Sequence, residues 1–289
     1  MNIKKVVITA AGRNQHLLPL QTLVDCDGVQ KSALRIIIEE SISAGIEDIC
    51  IVICPGDQTA YKAAAGKVPG KLQFVEQTAP LGYGHALYCA KDFLAGEPFL
   101  HLVSDHLYLT RQEQRCAQQL TENARLQKCS ISAVQATREA MLPYYGAIGG
   151  KTVSHEQRLY AVETVIEKPT PTEAEQRLIM PGLRTGHYLC FFGMHVLTPT
   201  VIDILGEKLE QAQGKASVSL STALASLPER ERYLAFEVSG RRYNLGEKFG
   251  QLAAQLAFGL AGRDREEVLA QLTDVLAGRL GDVEKCRAN

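Results

Sequence analysis

From Lys5 to Ala136 the chain alternates short apolar runs with amphipathic stretches, and this alternation restricts the fold more than any other feature. Lys5–Thr9, Asp48–Cys54, Leu72–Glu76, Phe99–Val103 and Ser130–Ala136 read as strands. Ser32–Ala44, Gln58–Ala65, Gly84–Leu94 and Arg111–Leu126 read as helices. In the first helix Leu34, Ile37, Ile38 and Ile42 share one face, and Gly45 stops it. Near-continuous apolar strands spaced by helices predict an α/β fold with a parallel sheet covered on both faces. Ligands then bind beyond the carboxyl ends of the strands, which here are Ala10–Gly12, Gln77–Gly84 and Ser104–Asp105.

The second half is less regular. "YYGAIGGKTVSHEQRLYAVETVIEKP" predicts a strand, a hairpin and a second strand ending at Pro169. "HYLCFFGMHVLTPTVIDIL" predicts a long strand, then a helix with Thr198 as N-cap and Pro199 in its first position. From Glu247 onward the pattern is helical, with Leu252, Leu256 and Leu260 on one face that serves either as a lid on the core or as an oligomer contact. The reading divides the chain into a single domain, 1–262, and a helical tail, 263–289.

Charge excludes several classes. The 31 Lys and Arg nearly cancel the 32 Asp and Glu, which argues against a nucleic-acid coat or a membrane-surface protein. No apolar stretch reaches the roughly 18 residues of a membrane span, and the apolar run in "MNIKKVVITAAG" is too short for a signal-peptide core. The expected location is the cytoplasm. Eight cysteines are scattered, several in apolar runs (Cys50, Cys54, Cys89, Cys129, Cys190). No C-x-x-C pair occurs, which argues for reduced thiols and against a zinc site.

Three stretches carry candidate chemistry. In "VVITAAGRNQHLLPL" a strand hands over to small residues, Ala10, Ala11 and Gly12, followed by Arg13, as in loops that grip phosphate. In "VEQTAPLGYGHALYCA" the Gln77 amide can read a base edge, and Pro80 and Gly82 shape the loop after it. Gly82 and Gly84 either let a flat ring lie against the backbone or serve a tight turn. Asp105 stands at a strand's carboxyl end, where a carboxylate can face a ligand or cap a following turn. A dinucleotide oxidoreductase is a poor fit, because no G-x-G-x-x-G follows the first strand.

"Q-x-x-P-L-G-x-G-H-A" resembles the base-binding segment of the bacterial UTP–glucose-1-phosphate uridylyltransferases, within the sugar-phosphate nucleotidyltransferases. Further matches follow in the family's order, from about residue 3 to 260: "VVITAAG", "EESISAGIEDICIV", "SD", "YYGAIGG", "VIEKP", "VLTPTVIDIL" and "RRYNLGEKFGQLAA". The resemblance implies a Rossmann-like mixed, mostly parallel sheet flanked by helices, with a small β-rich sugar-side lobe and a helical C-terminus. It implies Mg²⁺-dependent transfer of uridylyl from UTP to glucose 1-phosphate, giving UDP-glucose and pyrophosphate, and a homo-oligomer. By resemblance Ala10, Ala11, Gly12, Gln77, Pro80 and Gly82 bind the nucleotide, Gly146, Glu167 and Gly186 the sugar, and Asp105 and Asn244 the metal. Arg13 and Lys168 pair with phosphate. His187 and His195 read as ordinary strand residues.

The chain departs from the family pattern at Asn244, where the family has Asp in R-Y-D-x-G, and in two longer stretches. Where the family reads A-A-G-x-G-T-R-x-L-P, this chain has "AAGRNQHLLPL", without the second glycine and the Thr-Arg pair, and Asp25 and Asp27 follow. Where the family has the acidic G-G-E-I-Q-L-T-D, this chain has "GKASVSLST", with Ser217, Ser219, Ser221 and Thr222. Losing one charge-assisted phosphate contact costs on the order of 2–4 kcal/mol in the transition state. A second expectation therefore stands beside the enzyme: a catalytically weak or inactive homologue that binds nucleotide or sugar phosphate and regulates a partner, such as an active paralogue.

Overall fold

The computed structural model describes residues 1–156 and 158–287, with side chains through 278. β1 (Lys5–Thr9) lies between β4 (Asp48–Ile53) and β6 (Phe99–Val103), parallel to both, with Val7 level with Cys50 and His101. Successive residues of a strand point to opposite faces, and both faces of β1 are covered. Val6 and Ile8 share a buried cluster with Leu34, Ile37 and Ile38 of α1 (Ala33–Ser43) and Leu120 of α5 (Cys116–Gln127). Val7 shares another with Ala86 and Leu87 of α3 (Tyr83–Tyr88) and Val201 and Leu205 of α7 (Thr200–Ala212).

Among the described residues, nine strands form one sheet. Its order is β5 (Lys71–Glu76), β4, β1, β6, β11 (His187–Leu197), β8 (Ser130–Arg138), β12 (Tyr233–Glu237), β10 (Leu159–Glu167) and β9 (Gly146–Ser154). β11 and β10 run against the other seven, so the sheet is mixed but mostly parallel. The expected small lobe sits at the β9 end, where Leu142, Tyr145, Ala147, Tyr188 and Cys190 pack with Ala174 of α6 (Pro171–Arg177). A ribbon of β7 (His106–Leu109) and β13 (Arg241–Asn244) flanks the rim, and a hairpin of β2 (Thr22–Val24) and β3 (Gln30–Ser32) follows the first loop. α2 (Gln58–Ala65), α4 (Lys91–Leu94), α8 (Leu220–Ser226), α9 (Gly250–Ala261) and α10 (Arg265–Arg287) complete the fold. Among the described residues no helix is long and apolar enough to cross a membrane.

Tertiary contacts move several expected boundaries. α5 starts at Cys116 rather than Arg111, because its first turn meets a carboxylate from another helix. Glu40 of α1, 5% exposed, accepts a hydrogen bond from Ala117 N at 2.8 Å, and a carboxylate suits the positive end of a helix. The helix expected over Gly84–Leu94 is split into α3 and α4 at Cys89–Ala90. Thr198 does not cap α7: its hydroxyl donates to Glu231 at 2.7 Å, and Pro199 takes the cap position. In α9 the buried stripe is Ala254 and Phe258, whereas Leu252 is 57% exposed.

Asp25 and Asp27 belong to the β2–β3 hairpin and face Lys31, not the loop after β1. Lys31 Nζ lies 2.6 Å from Asp25, 2.7 Å from Asp27 and 2.8 Å from Glu39. These contacts push the Lys31 ammonium above its ordinary range despite the opposing effect of burial. α9 clasps the same hairpin: Gln255 Oε1 accepts from Val24 N at 2.9 Å, and Gln255 Nε2 donates to Val24 O at 3.1 Å. Removing Lys31 leaves the buried carboxylate of Asp25 without its cation, beside half-buried Glu39 and exposed Asp27. Lys31→Met is expected to lower stability by about 3 kcal/mol, measured as a drop in the urea midpoint at unchanged slope.

Candidate functional site at the sheet rim

Because β1, β4, β5 and β6 are parallel and in register, their following loops emerge on one side. β4 and β5 lie on one flank of β1 and β6 on the other, so the chain reverses its winding there, and a crevice opens at such a point. It is a cavity of about 610 Å³, within the size range of small-molecule sites. Ala10, Ala11, Gly12 and Arg13 line it after β1, Gln77, Pro80 and Gly82 after β5, and Asp105 after β6. Gly146, Glu167 and Lys168 come from the small lobe, and Asn244 from the end of β13. Eleven of the residues singled out in the sequence are thus joined by Asn244 around one space; Gly186 is not among the lining residues. Gly186, at φ 71°, forms the turn before β11 and accepts from Glu139 N at 3.0 Å. The glycine of β11 that faces the cavity is Gly193, at φ 87°, within an irregularity between Phe191 and His195. A Cβ there would lie 2.6 Å from His106 Nδ1 and 2.7 Å from Val103 Cγ2.

The loop after β5 is braced by its own chain. Gln77 Nε2 donates to Gly82 O at 3.0 Å and pairs with His85 Nδ1 at 2.9 Å, so the atom Gln77 offers a ligand is its carbonyl oxygen. Gly82 has φ 106°, and a Cβ on it would fall 2.5 Å from Val218 O. Gly84 N donates to Val218 O, and Val218 N to Leu81 O, each at 2.8 Å. The glycines therefore serve a close approach of two backbones, and Gly82 faces the cavity from that position.

Asp105 and Asn244 are brought together by the β7–β13 ribbon, which pairs His106 with Asn244 and lets Leu245 N donate to Asp105 O at 2.7 Å. Asn244 Oδ1 accepts from Gly246 N at 2.8 Å. A carboxylate and an amide oxygen are hard donors of the kind Mg²⁺ takes. His106, one residue on, was not singled out in the sequence. Both of its ring nitrogens are buried without a hydrogen-bond partner among the described residues, and Nδ1 is 3.7 Å from Asp105.

On the wall from the small lobe, a Cβ on Gly146 would lie 2.8 Å from Phe191 and 2.9 Å from Glu167 Oε2. Ser221, within the serine-rich stretch, donates to that same Glu167 oxygen. Ser219 and Ser221 line the cavity, while Ser219 also caps α8 by accepting from Thr222 N at 3.1 Å. Lys168 holds a left-handed backbone, φ 48°, and its N–H donates to Tyr145 O at 3.2 Å. Such a conformation in a non-glycine residue carries strain. Arg13 and Lys168 stand against Asp105 and Glu167, so the ionised side chains lining the cavity cancel.

Beneath the rim lies a buried polar layer that the sequence reading took for plain strand. His101 Nε2 meets Thr9 Oγ1 at 3.1 Å and Tyr83 Oη at 3.2 Å, and its ring stacks on His195 at 5.6 Å. His195 Nδ1 meets Ser132 Oγ at 2.6 Å. Burial pushes His195 down to about 3 and His101 well below its ordinary value. His195 borders the cavity as a neutral imidazole at pH 7, which agrees with reading it as a strand residue.

The nucleotidyl transferase family model matches residues 5–243. The chain belongs to the nucleotidyl transferase family. It is 28% identical to a UTP–glucose-1-phosphate uridylyltransferase of Bacillus subtilis over 96% of this chain and 98% of that protein. It is 29% identical to the enzyme of that name from Streptococcus pneumoniae over 89% of this chain and 91% of that one. A UDP-glucose pyrophosphorylase solved with UDP-glucose superposes with a TM-score of 0.72 at 23% identity, covering 89% of this chain and 98% of its own, and shares the fold.

The histidine layer sets a pH dependence of stability. Burial lowers the pKa of His101, His106 and His195, so below about pH 6.5 the unfolded chain takes up protons that the folded chain refuses. Glu40, raised by burial to about 7, works the other way and holds one proton in the fold. Stability should therefore rise between pH 5 and 6.5 with a net slope of up to about 2.7 kcal/mol per pH unit. Urea unfolding at several pH values measures this, and His195→Gln should remove about half of the slope.

Proposed function

We propose that this protein transfers a uridylyl group from UTP to a sugar 1-phosphate, glucose 1-phosphate in the first instance, releasing pyrophosphate. The observation that carries the reading is the confluence of Asp105, Asn244, Glu167, Lys168 and the Ala10–Arg13 loop around one cavity, from four separate segments of the chain. A nonbonding oxygen of the sugar phosphate attacks the α-phosphorus, a new P–O bond forms, and the bond to the pyrophosphate oxygen breaks. No proton has to move, so positioning and charge neutralisation carry the reaction.

Each wall has a role in this proposal. The Gln77 carbonyl oxygen accepts from the imide N–H of uracil, and Gly82 lets the ring lie close. Glu167, already bonded to Ser221, accepts from sugar hydroxyls. Lys168 neutralises the phosphate that becomes shared by nucleotide and sugar. Gly12 and Arg13 meet the departing pyrophosphate. Since the ionised side chains of the lining cancel, a polyphosphate needs added positive charge, and Asp105 and Asn244 are the residues that would hold Mg²⁺. When bound, that ion would supply electrostatic stabilisation of phosphate oxygens.

The phosphate loop supports a second reading, in which nucleotide sugar binds without turnover. His16, within that loop, turns back to Asp57 at 2.7 Å instead of facing the cavity, and Arg13 is the cation that remains. Pyrophosphate release with UTP, Mg²⁺ and a panel of sugar 1-phosphates separates the two. Turnover is expected with glucose 1-phosphate, falling about 100-fold or more in Asp105→Ala and Lys168→Met. Silence across the panel, with UDP-glucose binding intact by calorimetry, would replace the first reading with the second.

A further inference from the structure

Behind the phosphate loop, His16, Cys54 and Asp57 each offer a ligand atom, and these atoms all lie within 4.8 Å of one another. All three side chains are half-buried. They come from two neighbouring loops: His16 from the one after β1, Cys54 and Asp57 from the turn between β4 and α2. Residue type and placement do not match here. Asp57 occupies the N-cap position of α2, where aspartate ordinarily accepts from the helix N–H groups, yet its side chain makes no capping bond and reaches His16 Nδ1 at 2.7 Å. Cys54 Sγ points back to Ala11 O at 3.3 Å, on the loop that lines the cavity.

From this we infer that His16, Cys54 and Asp57 form a binding site for a borderline-soft divalent cation of the Zn²⁺ class, distinct from the oxygen site at Asp105 and Asn244. One nitrogen, one sulfur and one carboxylate oxygen are a Zn²⁺ donor set and leave a fourth tetrahedral position open to water. Mg²⁺ is a hard ion and prefers oxygen to a thiolate. On binding, the ion takes a lone pair from a neutral His16 nitrogen, a carboxylate oxygen of Asp57 and the Cys54 thiolate. The thiol proton leaves to solvent, and the imidazole proton resides on the ring nitrogen that is not coordinated. Because the thiol must lose its proton on binding, uptake should strengthen as pH rises through neutrality. The absence of a C-x-x-C pair excludes only sites built from adjacent cysteines, and this one is assembled across 38 residues by the parallel pairing of β1 and β4. Binding would pin His16 to the α2 side and so fix the backbone of Gly12–Gln15, part of the cavity wall. The site does not depend on which nucleotide or sugar the cavity takes.

The test is metal titration of the full-length protein after chelator treatment, with Co²⁺ followed optically and Zn²⁺ by competition against a chromophoric chelator. One equivalent of Co²⁺ should produce a thiolate-to-cobalt charge-transfer band, and Cys54→Ser should abolish it. His16→Gln and Asp57→Asn should each weaken Zn²⁺ binding by more than the roughly 10–100-fold that loss of an outer-shell partner costs. Cys89→Ser, at the other Cys–His contact, Cys89 with His85, should leave uptake unchanged. The inference fails if no such band appears, if it survives Cys54→Ser, if Cys89→Ser removes it, or if His16→Gln and Asp57→Asn bind Zn²⁺ like the parent. Thermal melts of the four variants verify that each folds.

Discussion

The register of β1 between β4 and β6 is the constraint on which the rest of the molecule depends. Val7 stands level with Cys50 and with His101, so the strands stop at nearly the same height and their loops leave along one rim. A one-residue slip would turn Val6 and Ile8 away from α1 and push Val7 into their place. It would also separate Gly12 from Asp105. Packing and cavity geometry are therefore set by the same hydrogen bonds, and the apolar side chains that stabilise the fold also hold the loop after β1 opposite Asp105.

Around that rim the chain keeps its family's frame and alters its polar detail. Close approaches such as Gly82 to the Val218 backbone and Gly193 to the His106 ring leave no space for a side chain. Ser221 instead ties down Glu167. The carboxylates that follow the phosphate loop are absorbed by Lys31 rather than aimed at the cavity. The altered stretches thus carry their own internal bonds.

Local periodicity made much of the fold legible. Lys5–Thr9, Phe99–Val103 and Gln58–Ala65 have the boundaries that their apolar patterns and stop signals predict. What escaped was decided by distant partners. The three-residue strands of the β2–β3 hairpin carry no pattern of their own and rely on Lys31 and on Gln255. The start of α5 was obscured because its capping carboxylate is Glu40, 77 residues earlier. Gly186 and Gly193 both take positive φ, and only the three-dimensional path of β11 tells which faces the cavity. His195 reads as an ordinary strand residue and His101 lies unremarked within Phe99–Val103; their cross-strand stack is a product of β6–β11 pairing.

The clasp of Gln255 on Val24 spans 231 positions of the sequence. On a ribosome the chain emerges from its amino end, so the strands of the rim can begin pairing long before α9 exists. The hairpin beside the loop after β1 stays without its second wall until most of the polypeptide has been made. Maturation of this entrance is therefore a late event of biosynthesis, and a nascent chain that stalls before residue 255 would display a formed sheet beside an open flank.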